Sequence, residues 1–200
     1  MKKILLALLT DLILLGILVG ILFLFLDFHI ARSRTNSGFT LSTASAGEGL
    51  PGSMQEPPVL SIAVVGDSRY SHALGSVLKE QLQAAPYIAG VNLLDSSPDH
   101  ADAPYLFVDP GDLDILWTPV YARADLTVQA ALASDGDVSL RGQQPVELDS
   151  QDGPVIKSEG DFNVQDFTWG LISRPAYYNL IARRVSGEIQ RALEPLFQPK

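Results

Sequence analysis

Gly66, Asp67 and Ser68 fall between a short apolar run and a stretch of helical periodicity. A serine at a strand-to-helix turn is exposed and close to helix amides that can hold an oxyanion, which is the chemistry of a hydrolytic nucleophile. Such a hydroxyl needs a base, because without one it stays protonated and weak. The chain has 3 histidines and none follows His100, so the nearest candidate base is His72, four residues after Ser68. The spacing therefore predicts Asp67-Ser68 as the cap of the following helix, with Ser68 as nucleophile the alternative. Asp109, Asp112 and Asp114, and the pair Asp135 and Asp137, offer oxygen ligands of the kind calcium takes. They match no calcium loop with a distal Glu, and turn solvation is the expectation. There is no P-loop and no GxGxxG, and no cofactor or metal site is expected. A third constellation is aromatic: Phe162, Phe167, Trp169, Tyr177 and Tyr178 lie beside Arg174, Arg183 and Arg184. Aromatics with Arg are enriched at interface cores, so Trp169, Tyr177 and Arg184 are the candidate partner contacts, the other rings being expected in the core.

Composition narrows the classes. A chain of 200 residues accommodates one globular domain and an appendage, and a 46% hydrophobic share excludes wholesale disorder. Lys+Arg 14 against Asp+Glu 23 gives a net charge of −9, which argues against a general affinity for nucleic acid. With zero cysteines there is no disulfide, no thiolate metal site, no cysteine nucleophile and no lipidated cysteine.

The appendage opens the chain. Ile4 to Leu26 reads ILLALLTDLILLGILVGILFLFL, which as a helix rising about 1.5 Å per residue would cross a hydrocarbon core of about 30 Å. A cleaved signal peptide has a shorter apolar core and a small-residue site directly after it; the run Thr43 to Gly47 lies too far downstream. Residues 1–31 are thus expected to be an uncleaved transmembrane signal anchor. Lys2 and Lys3 set the amino terminus in the cytoplasm and the acidic remainder outside it. Gly16 and Gly20 form a GxxxG pair, a candidate face for self-association in the membrane. Asp11 is costly at the bilayer centre and is expected near the headgroups.

Residues 32–58 are dense in Ser, Thr, Gly and Pro with no apolar period, and a flexible linker is the expectation. The folded unit is then 59–200. Val59 to Val65 reads as a buried strand, Ser71 to Ala85 as an amphipathic helix and Gly90 to Leu94 as a second strand beside the first. Strands follow at Tyr105 to Val108, Leu113 to Val120, Ala122 to Leu132 and Val155 to Phe167, and Pro175 opens a closing helix with one apolar stripe. The order implies an α+β fold with both helices on one face of a sheet of about four or five strands.

Two resemblances follow. IAVVGDSRYSHALGSVL resembles the first block of the SGNH (GDSL) hydrolases, which would make Ser68 the nucleophile. Gly111-Asp112-Leu113-Asp114 then has Leu113 where that family has Asn, and its carboxyl-terminal DxxH block has no counterpart. The order of elements, carried by IAVVGDSRYSHALGSVLKEQL, LTVQAALASDGDV and GLISRPAYYNLIARRVSGEIQRALEPLF, resembles small envelope accessory modules of bacteria. These are the lipopolysaccharide-assembly lipoproteins, the auxiliary lipoproteins of ABC transporters and the amino-terminal domain of the Tol-system protein B. That resemblance implies a non-enzymatic adaptor or assembly factor of an envelope protein complex, anchored in the inner membrane, with an extracytoplasmic ligand-binding module as the alternative.

Overall fold

The computed structural model describes residues 2–25, 28–46, 57–102, 104–111, 113–139 and 155–197. The elements are α1 (Lys2–Phe25), β1 (His29–Ala46), β2 (Val59–Val64), α2 (Arg69–Gln83), β3 (Gly90–Leu93), β4 (Tyr105–Asp109), β5 (Leu113–Thr118), β6 (Tyr121–Ala133), β7 (Val155–Ile172) and α3 (Arg174–Phe197). The fold is α+β. One mixed sheet runs β1-β7-β6-β4-β2-β3, and β5 pairs with the free half of β6. β2 lies parallel to β3 and β4, as a crossover through α2 requires; the other pairings are antiparallel.

Periodicity explains which side is covered. Ala122, Ala124, Leu126, Val128, Ala130 and Leu132 alternate along β6 and are buried on one face. Against that face pack Leu74, Leu78 and Leu82 of α2 and Tyr177, Ile181, Val185 and Ile189 of α3. Burying each such side chain contributes about 1.5 to 3 kcal/mol. A smaller cluster, Ala63, Tyr105, Phe107, Ala131, Ala133 and Val138, fills the other face over β2 and β4. Among the described residues no helix covers that second face along β5, the start of β6, β7 and β1.

The linker expected over 32–58 is corrected for residues 32–46, which belong to β1; 47–56 lie outside the described residues. β1 pairs with β7 along its whole length, His29 opposite Ile172 and Ala46 opposite Val155. Its inward positions carry hydroxyls where a buried strand would carry apolar groups. Ser33 Oγ meets Thr168 Oγ1 at 2.8 Å, Thr35 donates to Asp166 at 2.7 Å and Ser37 donates to Glu188 at 2.6 Å. The folded unit therefore begins at His29 and not at Val59.

A helix occupies the expected apolar stretch, and its described side chains from Leu8 to Ile21 are exposed on every side. Among the described residues no helix is long and apolar enough to cross a membrane. Among the described residues, a Cβ added at Gly16 or Gly20 would meet nothing within 4 Å.

Candidate functional site

The turn after β2 is built as a cap. Gly66 takes φ +90, a left-handed conformation open to glycine. Ser68 is the N-cap of α2, its Oγ accepting from the Ser71 amide at 3.0 Å and sharing a hydrogen bond with Ser71 Oγ at 2.8 Å. His72 Nε2 instead meets Asp67 Oδ1 at 2.8 Å, both side chains being exposed. The structure brings Asp67 and His72 together and leaves Ser68 bonded to Ser71, which is the geometry of helix capping.

The acidic residues solvate turns. Asp109 Oδ1 accepts from the Gly111 amide at 2.9 Å, and Asp135 Oδ1 accepts from the Asp137 amide at 3.1 Å. Asp112 lies outside the described residues. Lys157 Nζ reaches Asp137 Oδ2 at 3.3 Å and Asp135 Oδ2 at 3.5 Å. Burial works to raise the Asp137 carboxyl, but the hydrogen bonds from Ser139 and the bond and charge of Lys157 outweigh it and bring it down to about 2.

The three candidate partner contacts separate. Tyr177 is corrected: it is 0% exposed, and its hydroxyl donates to Asp166 Oδ2 at 3.2 Å beneath α3. Burial first, then the charge and hydrogen bond of Asp166, push its phenol up, so it stays a neutral donor. Trp169 is 53% exposed on the open sheet face. Arg184 is exposed on α3, across the sheet from Trp169. Strand alternation makes the split, since Thr168 and Asp166 point under α3 and Phe167 and Trp169 away from it.

Two arrangements were not anticipated. Asp166 is fully buried, and Thr35, Thr168 and Tyr177 all donate to its carboxylate. The signal was present in the alternation Phe162, Val164, Asp166, Thr168, which puts the acid on the apolar side of β7. The second is a groove of about 420 Å³ between β1 and α3, lined by Arg34, Arg183, Arg184 and Arg191 with Ser33 and Ser37. Glu188 on its wall holds Arg191 at 2.9 Å. Among the described residues Arg34, Arg183 and Arg184 have no acidic partner, so the groove is cationic within a chain of net charge −9.

On the open face, Trp169 tilts against Tyr121 at 6.1 Å between ring centroids and stacks with Phe167 at 6.1 Å. Arg123 lies over the Phe167 ring at 5.6 Å, within cation–π range.

No family model and no curated protein matches the chain. Among solved structures it is similar to the PelC dodecamer of Paraburkholderia phytofirmans: 17% identity, TM-score 0.39, covering 82% of this chain and 100% of that chain. A point variant of the same dodecamer gives 18% identity, TM-score 0.39 and the same coverage. At that identity and TM-score the likeness is one of outline and assigns no activity, partner or assembly.

Proposed function

We propose that this protein is a membrane-anchored, non-enzymatic adaptor or assembly factor of a cell-envelope complex, its domain held outside the cytoplasm. The observation that carries the reading is the junction between α1 and the sheet. The span itself is read from the sequence: Ile4 to Leu26 is an apolar stretch of 23 residues, which as a helix rising about 1.5 Å per residue would match a hydrocarbon core of about 30 Å. Phe28, three residues after the end of α1, is hydrogen-bonded to Ser173 at the β7–α3 corner. Chain cleavage near Gly47 would remove β1 as well as α1, uncovering β7 and depriving Asp166 of Thr35, which favours an anchor that is kept.

The groove lined by Arg183, Arg184 and Arg191 is the docking surface for the protein partner. Clustered guanidiniums repel one another and are relieved by a partner that brings carboxylates. Purification of the full chain from its native membrane in mild detergent, with mass spectrometry of the co-purifying proteins and of the amino terminus, tests this. The expected result is an intact terminus and a stoichiometric membrane partner, lost in Arg183→Glu/Arg184→Glu without loss of fold. A soluble chain that starts near Gly47 and comes alone would overturn the reading.

A further inference from the structure

The open sheet face is graded along the strands. Strand register sorts it into rows about 6.7 Å apart, counted from the end next to α1. The first row is Ile30 and Leu171; the second is Arg32, Trp169, Tyr121 and Thr118; the third is Arg34, Phe167, Arg123 and Leu116. Val120, at the β5–β6 hairpin tip, joins this end because its carbonyl accepts from the Gly170 amide at 3.1 Å. Five of the seven exposed large apolar side chains described outside α1 gather here: Ile30, Leu116, Val120, Trp169 and Leu171. Apart from Arg34, which at the β1 edge also lines the groove, these three rows contain Arg32 and Arg123 and no acid. The fourth row brings in Asp114 and Asp125, whose Oδ2 lies 3.6 Å from Arg123 Nη2 in a half-exposed pair that a phosphate would have to share, and Asp161 and Glu159 follow. Lys157 is the single described cation beyond the third row, and Asp135 and Asp137 already hold it.

Apolar groups nearest the helix, arginines and aromatics next, and acids farthest away is the order of chemistry met on leaving a bilayer. Hydrocarbon gives way to headgroup phosphate, and an anionic surface repels carboxylates beyond it. Trp and Tyr favour that boundary because each ring has an apolar body and a polar edge, and Arg can keep its stem in the apolar zone while its guanidinium binds phosphate. The chain also fixes the distance. From Phe25 to Phe28 it can span at most about 11 Å, and Phe28 is bonded to the domain, so this end of the sheet cannot leave the surface in which α1 ends.

We propose that the α1-proximal rows of the open face rest on the outer surface of the bilayer, with Trp169 at the headgroup boundary and Arg32 and Arg123 on lipid phosphates. The proposal rests on the reading of α1 as an anchor and adds a second, lipid-binding surface to it. The face would hold the domain at one tilt and turn the arginine groove toward a neighbour in the membrane plane.

The chain carries 2 tryptophans, and Trp117 points to the covered face, its Nε1–H donating to the Ile172 carbonyl at 3.2 Å. Full-length Trp117→Phe protein reconstituted in vesicles of phosphatidylcholine and phosphatidylglycerol therefore reports on Trp169 alone. Insertion of α1 is read separately, by resistance to carbonate extraction. The expected result is emission at least about twofold lower with lipids brominated near the headgroup, recovered in part in Arg32→Gln/Arg123→Gln. The Trp169→Phe protein, which keeps Trp117, shows no such quenching. An inserted chain whose Trp169 ignores brominated lipid and is quenched by aqueous acrylamide overturns the proposal and leaves the anchor standing. An inserted chain whose Trp169 is shielded from both quenchers overturns it in favour of a protein on this face. Complete extraction by carbonate overturns the anchor and the proposal together.

Discussion

Phe28 and Ser173 are joined by a reciprocal pair of hydrogen bonds: the Phe28 amide donates to Ser173 Oγ at 3.1 Å, and the Ser173 amide donates to the Phe28 carbonyl at 3.0 Å. The pair closes the chain just after α1 onto the corner where β7 ends and α3 begins. Ser173 is fully buried, and its oxygens also receive the amides of Ala176 and Tyr177 in the first turn of α3. A single serine thus caps α3 and ties the chain at Phe28 to the domain.

Ser173→Ala removes the cap and the acceptor for Phe28 together. The loss is expected to be about 2 kcal/mol, about 1 for the cap and about 1 for the Ser173 Oγ acceptor taken from the part-buried Phe28 amide. Urea unfolding measures it, and spin labels on α1 and β6 should show a broader distance distribution. An unchanged, narrow distribution would mean that the pair does not set the joint.

Asp166→Ala leaves the hydroxyls of Thr35, Thr168 and Tyr177 without their shared acceptor beneath α3. The expected destabilisation is about 3 kcal/mol, while Tyr177→Phe, which removes one donor only, costs about 1 kcal/mol. If both variants unfolded at the wild-type denaturant midpoint, the network would contribute nothing.

Acid unfolding should report on Asp137. Its carboxyl is held at about 2 in the folded chain against an ordinary 3.8, so the folded state binds this proton less readily than the unfolded one. The resulting stability is fully present above about pH 4 and is lost as pH falls through about 2, with a magnitude on the order of 2 kcal/mol. Lys157→Met should move the acid-unfolding midpoint to higher pH, as followed by circular dichroism. A midpoint that stays put would show that Lys157 does not hold this carboxyl down.

Ser68→Ala should cost about 1 kcal/mol of stability through loss of the α2 cap, and His72→Gln almost nothing, since the His72–Asp67 pair is exposed. Neither change is expected to alter turnover of a p-nitrophenyl ester. Hydrolysis by the wild-type chain that Ser68→Ala abolished would return Ser68 to the role of nucleophile.

Local pattern alone determined much of this protein. The three- and four-residue spacing of Leu74, Val77, Leu78 and Leu82 specifies α2, the two-residue alternation from Ala122 to Leu132 specifies β6, and the stripe through Ile181, Val185 and Ile189 specifies α3. Each has an apolar face that must be buried, and that demand is written in consecutive residues. β1 was not legible this way. Its inward Ser33, Thr35 and Ser37 look like linker composition until Thr168, Asp166 and Glu188, more than a hundred residues away, meet them. An edge strand satisfied by hydroxyls needs no apolar period, so only the pairing with β7 could reveal it. The same holds for the candidate surfaces. Trp169, Tyr177 and Arg184 are near in sequence, yet strand alternation and helix packing send one to the open face, one to the core and one to the groove. Sequence specified the elements whose burial demand is local, and tertiary structure decided the edge strand β1 and which side chains meet, because hydrogen-bond partners and open faces exist only once distant strands have paired.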